Sequence, residues 1–356
     1  MKNKNTLIIT ATAMICIAVA CVFAVVVLTA PVVNNNADNG SKDVVADFSV
    51  DTSLGGESSV ESSLSSEWIE DSVISEEEKA PELILPPDTV IYSQIAVVYD
   101  VVEDEVVFSR DADVQTPPAS LTKLVTAMVA LEHLSPTRRV TVGEEINMIG
   151  ENSSVAFLAV GQKYTVKSLI DGLLIPSGND AAYVLAVNAA RTAANDMNLS
   201  LESAVSDFVR LMNEKVKSLG CFNTHFSTPD GYDADGQVTT AMDMVKICTV
   251  AANNTYIKES VAKSKSGGWI NSNLLVREDS SLYNECVTGL KTGSTSGAGY
   301  CVSVSAIIND KAYIMVFMNS QSSYGRFKDA NTIIDLIKDD EQDNSSEEES
   351  SNGGLE

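Results

Sequence analysis

Apolar residues change their spacing several times along this chain, and each change marks an element. Residues 7–30 carry no charge, and Thr10, Thr12 and Thr29 are their only hydroxyl residues. Wound as a helix, such a run reaches about 36 Å, longer than a hydrocarbon core of ~30 Å. Residues 31–85 then lose any period: Ser, Gly, Asn and acidic residues separate single apolar positions, and Trp68 stands alone. That stretch buries too little surface to repay its ordering entropy, which predicts a disordered linker.

Past residue 85 the apolar pattern becomes dense. Residues 91–100 and 105–109 are β-rich runs split by the acidic turn at Glu103, Asp104 and Glu105, a hairpin signature. From Ser120 onward, Leu121, Leu124, Val125, Met128 and Val129 form a helical stripe. Short strands or turns are expected at 140–142, 156–157 and 164–166. Helices follow at 166–174, 180–194, 201–219 and 239–252, with Gly220 as the natural stop of the third. Strands are expected at 287–290, 299–309 and 312–319, the last two joined through Asp310 and Lys311, and a closing helix at 330–338. Strands at both ends with helices between predict an α+β domain: one antiparallel β-sheet covered by helices.

Charge separates the appendages from this body. Of the formal −25, −11 falls in residues 31–85 and −8 in residues 339–356, while Lys2 and Lys4 return +2. The intervening residues therefore carry only −8, so the acidity belongs largely to a linker and a disordered tail. It excludes nucleic acid as a natural partner. Lys2 and Lys4 precede the uncharged run, so residues 1–6 are expected in the cytoplasm and residue 31 onward outside. We read residues 7–30 as an uncleaved transmembrane signal anchor. A cleaved signal and a secreted protein are the alternative, disfavoured by Leu28 and Pro31 at its exit.

Cys16 and Cys21 fall in the span, and Cys221, Cys248, Cys286 and Cys301 are isolated. Free buried thiols are the expectation, with Cys286 and Cys301 the best-placed pair if a bridge forms. His133 and His225 are the only histidines, which supplies no zinc ligand set, and no cofactor is expected.

Three short motifs carry candidate chemistry. The first is P-P-A-S-L-T-K at 117–123, where Ser120 and Lys123 stack one turn apart on a helix. A hydroxyl at a helix start lies in a field that favours developing negative charge. A buried lysine gives up its proton readily and serves as a base. The second is Ser177-Gly178-Asn179, just before the alanine-rich helix. The third is Lys291-Thr292-Gly293 at the end of an apolar strand, where a glycine lets another molecule approach the backbone. Alone, each has an ordinary reading as a capped helix, a turn or a strand end.

Together and in this order they resemble the penicillin-recognising serine acyl-transferases, whose signature is S-x-x-K, S-x-N and K-T-G. Within that superfamily the chain is similar to the low-molecular-mass penicillin-binding proteins, the serine-type D-Ala-D-Ala carboxypeptidases. T-H-F-S-T-P-D-G at 224–231, T-T-A-M-D-M at 239–244, I-N-S-N-L-L at 270–275, G-L-K-T-G at 289–293 and Gly325-Arg326-Phe327 carry the likeness further. The resemblance implies a β-lactamase/transpeptidase-like fold with an all-helical lobe, a peptidase domain at 86–338, and release of the terminal D-alanine from peptidoglycan stem peptides through an acyl-enzyme. It also implies β-lactam antibiotics as covalent inhibitors and a bacterial cell membrane as the site of anchoring.

By the same resemblance Ser120 attacks, Lys123 takes its proton, Ser177 relays a proton to the leaving amine, and Asn179 hydrogen-bonds near Lys123. Lys291 keeps that side positive, and Thr292 and Arg326 hold the terminal carboxylate. Gly293 and Ser294 continue the strand that the peptide pairs with, and the Ser120 and Ser294 amides form the oxyanion hole. Gln237 stands where many relatives carry histidine and reads as structural. No E-x-x-x-N element follows Asn179, which sets β-lactamase activity behind D,D-endopeptidase or transpeptidase activity as an alternative.

Overall fold

The computed structural model describes residues 83–352. The expected cytoplasmic end, the membrane span and all but the last residues of the linker lie outside the described residues. Among the described residues no helix is long and apolar enough to cross a membrane.

The chain opens with the expected hairpin, β1 (Ser93–Asp100) and β2 (Glu105–Arg110). The Asp100 carboxylate accepts the Val102 and Glu103 amides at 2.8 and 3.1 Å, an Asx turn that starts the reversal. A 3₁₀ turn (Ala119–Thr122) leads into α1 (Lys123–His133), so the helix expected from Ser120 begins three residues later. The pair β3 (Arg139–Thr141) and β4 (Lys163–Thr165) follows; residues 156–157, expected as a short strand or turn, are irregular. Next come α2 (Val166–Leu174), α3 (Asn179–Ala193), α4 (Leu201–Ser218), α5 (Ala241–Asn253) and a short α6 (Thr255–Val261). The two-residue pair β5 (Lys265–Ser266) and β6 (Trp269–Ile270) precedes β7 (Val287–Gly289), β8 (Thr292–Thr295), β9 (Gly299–Ile308), β10 (Lys311–Ser320) and α7 (Gly325–Asn352).

One antiparallel sheet runs β2-β1-β10-β9-β7, and β8 joins the same edge of β9. β7 and β8 are one edge interrupted by a kink, where Gly289 and Leu290 both take positive φ. Pairing resumes at once, because Lys291 and Ser303 exchange backbone hydrogen bonds at 3.1 and 2.8 Å. The β9–β10 turn is Asn309 and Asp310, with φ of 48° and 66°, rather than Asp310 and Lys311. Two left-handed residues match strand twist, and Asn and Asp tolerate that conformation where lysine does not.

Both sheet faces are covered, which is why β1 reads as a continuous apolar run. Ile95 and Val97 face the core shared with α1 to α6, while Ala96 and Val98 face α7 through Phe327, Ile333 and Ile334. The helical lobe centres on α1, buried from Lys123 to Ala130, and on α3, whose alanines let neighbouring helices close in. All four cysteines in this region are free.

The last helix starts five residues earlier than the apolar pattern suggests and passes into the acidic segment expected to be disordered. No glycine or proline interrupts 326–352, and Gly353-Gly354 follow. Its first turn is fixed to the sheet: the buried Asp329 carboxylate accepts the Tyr92 and Ser93 amides at 2.7 and 2.8 Å. Asp329→Ala strands both donors and should cost about 2–4 kcal/mol in urea unfolding. A loss below about 1 kcal/mol would show that this clasp is not what holds the helix.

Candidate active site

The Ser120 turn is gripped from two sides. Ala119, the residue before it, sits at φ 48°, a conformation its neighbours must enforce. Gly231 lies so close that a Cβ there would stand 1.9 Å from the Ala119 carbonyl oxygen, and Gly231 itself has φ 83°. From the other side Gly293 on β8 packs onto the same turn: a Cβ would come within 3.0 Å of the Ala119 Cβ and 3.2 Å of the Ser120 nitrogen. The K-T-G strand and the S-x-x-K turn touch because position 293 has no side chain.

Lys123 is completely buried, with three partners for its ammonium nitrogen. Nζ lies 2.8 Å from Ser120 Oγ, 2.8 Å from Asn179 Oδ1 and 2.6 Å from the Asp230 carbonyl oxygen. Two of these are pure acceptors. A neutral amine has two N–H groups and one lone pair, so filling both acceptors turns the lone pair toward the serine hydroxyl. Burial shifts Lys123 toward that form, lowering its pKa from 10.5 to about 8, against the pull of the Asp230 and Asp180 carboxylates.

Each partner is itself held. Asn179 opens α3 and donates from Nδ2 to Ser153 Oγ at 2.8 Å, and Ser153 donates on to the Gly150 carbonyl at 2.7 Å. Asp180 beside it accepts the Ala156 and Leu158 amides at 2.8 and 2.9 Å, fixing the facing loop. The Asp230 loop is braced by Gln237, which accepts the Ser227 and Thr228 amides at 2.9 and 2.8 Å and donates to the Tyr232 carbonyl at 3.0 Å. Gln237 therefore holds the loop that delivers a carbonyl to Lys123. Ser177, at φ 66° and buried, has no side-chain hydrogen bond among the described residues. An unengaged hydroxyl in a strained turn is free to serve a bound molecule.

The sheet side supplies two basic residues, Lys291 and Arg326. Lys291 is buried, donates to the Thr292 carbonyl at 2.9 Å, and has its pKa lowered well below the usual value, first by burial and then by the charges of Lys123 and Arg326. Thr292 Oγ1 shares a 2.7 Å hydrogen bond with Ser272 Oγ. Arg326 lies behind β8, donating from Nη1 to the Gly293 and Cys301 carbonyls at 2.6 and 2.9 Å and packing on the Phe327 and Tyr300 rings. Burial lowers its pKa to about 10. One of its nitrogens is thus committed to fastening β8 to β9. The exposed Ser294 helps line a cleft of about 330 Å³ with Ser120, Ser153, Asn179, Tyr232 and Asp233.

The structure thus gathers Ser120, Lys123 and Asn179 into one hydrogen-bonded set and brings Gly293 against Ser120. Ser153, Ser272 and the Asp230 carbonyl join them without having been expected. Ser272 was visible only as part of a family-like stretch, and a backbone carbonyl leaves no residue signature.

A serine hydroxyl hydrogen-bonded to a buried lysine, under an antiparallel sheet with a helical lobe, is the arrangement of the penicillin-recognising serine hydrolases. The chain belongs to the D-alanyl-D-alanine carboxypeptidase family, whose sequence profile matches residues 82–322. It is 32% identical over 249 residues to the D-alanyl-D-alanine carboxypeptidase DacD of Salmonella typhimurium, covering 67% of this chain and 60% of that one. With DacA of Escherichia coli K12 the identity is 31% over 264 residues, covering 70% and 62%. The chain thus spans about three fifths of these relatives' length. The crystal structure of the Streptomyces K15 DD-transpeptidase superposes with a TM-score of 0.63 at 28% identity, covering 70% of this chain and 97% of that one.

Gly231→Ala should lower stability by about 2–4 kcal/mol and slow penicillin acylation of Ser120, because the new Cβ meets backbone. Gly161, at φ 87° but in open space, is the control: its alanine variant should lose about 1 kcal/mol and keep the acylation rate. Denaturant melts and labelling rates decide, and equal effects would refute the packing account.

Proposed function

We propose that this protein is a serine acyl-transferase acting on peptidoglycan stem peptides that end in D-Ala-D-Ala. The observation that carries the reading is the Lys123 nitrogen, buried among two carbonyl acceptors with its remaining valence toward Ser120 Oγ. Neutral Lys123 takes the Ser120 proton as Oγ attacks the carbonyl carbon of the penultimate D-alanine. The Ser120 and Ser294 amides receive the developing oxyanion. The proton held by Lys123 passes by way of the Ser177 hydroxyl to the nitrogen of the departing D-alanine, so both return to their starting forms and an ester to Ser120 remains. Thr292 and Arg326 hold the terminal carboxylate, and Lys291 orients the Ser177 side. The peptide lies along β8 by strand pairing.

The acyl group then passes to water, giving a carboxypeptidase, or to an amine, giving a transpeptidase. Relatives named carboxypeptidase argue for water. The nearly complete coverage of the Streptomyces K15 DD-transpeptidase argues for an amine acceptor, whereas 29% identity over 256 residues to a D-alanyl-D-alanine endopeptidase of Escherichia coli again argues for water. We place the peptidase domain outside the cell membrane, tethered by residues 7–30 and a spacer of residues 31–85, on the strength of that uncharged run and the lysines before it.

The test is mass spectrometry of a stem pentapeptide incubated with the full chain, with and without an amine acceptor. One alanine should be lost, or replaced by the acceptor, and Ser120→Ala should reduce the rate by at least ~10⁴-fold and abolish fluorescent-penicillin labelling. Turnover persisting in Ser120→Ala would overturn the assignment, and rapid multiple turnover of penicillin would point to a β-lactamase.

A further inference from the structure

Most non-glycine residues held at positive φ here are Asn or Asp in turns, Ala119 and Ser177 belong to the site, and Leu290 is buried. Phe157 is different. It sits at φ 58° with a bulky side chain that this conformation disfavours, and 84% of it is exposed. Nothing in its own packing explains the strain. Its neighbours impose it: Ala156 and Leu158, on either side, are buried and give their amides to the two oxygens of Asp180. The Ala156 carbonyl takes the Trp269 indole N–H at 2.8 Å. The fold thus spends a buried carboxylate, next in sequence to Asn179, on holding an aromatic ring in water.

The segment that carries the ring borders the cleft. Glu151, Asn152, Ser153 and Ser154 line it, and Phe157 is three residues further, no more than about 10 Å of chain from Ser154. The segment offers an aromatic ring on an anchored backbone, within a few residues of hydroxyls, an amide and a carboxylate. A pyranose ring needs that combination, since its C–H face packs on an aromatic ring while its edge is all hydrogen-bonding groups. A protein partner needs a contiguous apolar patch of several hundred Å², which a single ring does not supply.

We propose that Phe157 is a glycan-contacting residue that docks a sugar of the strand bearing the stem peptide, so that polymer-linked substrate is favoured over free peptide. The inference rests on the reading of the substrate given above. The backbone on either side is already held, which lowers the ordering cost of binding.

The experiment uses the full chain and the variants Phe157→Ala, Phe157→Asn and Phe157→Tyr. Release of D-alanine is compared on a sugar-free pentapeptide and on the same peptide attached to glycan strands, and binding of peptide-stripped glycan strands is measured separately. Phe157→Ala and Phe157→Asn should leave the free peptide within about twofold of wild type and lower kcat/KM on the glycan-linked form by roughly three- to tenfold. Phe157→Tyr should restore it. Phe157→Asn, suited to the left-handed backbone, should not lower Tm, so misfolding is not the cause. Equal effects on both substrates, or unchanged glycan binding in Phe157→Ala, would overturn the proposal. So would a dimer that Phe157→Ala dissociates while glycan binding stays the same. If wild type cleaves neither peptide the functional reading fails, and binding of stripped glycan by wild type over Phe157→Ala still decides the sugar site.

Discussion

Everything at this site depends on keeping an amine out of water. Lys123 has no solvent contact, and burial alone outweighs the attraction of Asp230 and Asp180 that would keep it charged. A buried charge without an opposite partner is costly, so the fold supplies carbonyl oxygens, which stabilise an N–H without demanding a cation. The remaining partner is the serine hydroxyl, and the arrangement turns a packing problem into a base.

The rest of the molecule serves that burial. α1 carries Lys123 into the centre of the helical lobe, and α3 brings Asn179 to it by starting where its alanine-lined face packs on α1. The Asp230 loop reaches in from a different part of the chain and is kept there by Gln237 and by the contact of Gly231 with Ala119. On the far side, the kink at Gly289 and Leu290 lets Lys291 pair with Ser303 while Gly293 closes on the serine turn. Arg326 clamps that strand to β9, so its charge is felt at the site while part of its hydrogen-bonding capacity is spent on structure. Two carbonyls, two glycines and one arginine thus do jobs that a list of motif residues does not convey.

How much of this was legible in the chain follows from what leaves a side-chain trace. α2 was readable to the residue because Thr165 caps it and Pro176 closes off its end. The hairpin, the sheet and the helical centre followed from period and apolar density. The three motifs were legible because each needs particular side chains at fixed spacing. The Asp230 carbonyl was not, since any residue has one. Neither was the Thr292–Ser272 pair, twenty residues apart and joined only by the fold. Polarity alone points to Asp310 and Lys311 for the β9–β10 turn, one residue late, whereas the backbone twist selects Asn309 and Asp310. The apolar period ends at Ile337 and marks too short a last helix, because helix continues where nothing breaks it.

The central claim is that neutral Lys123 accepts the Ser120 proton. Its most direct test is the second-order rate constant for penicillin acylation of Ser120 in the full chain, measured from pH 6 to 10, which reports groups of the free enzyme. Below its pKa Lys123 is protonated and cannot act as a base; above it the amine is available, so the rate must rise with pH. The account predicts a limb with its midpoint at about 8. A flat profile, or a rise centred near the 10.5 of an ordinary lysine, would contradict it.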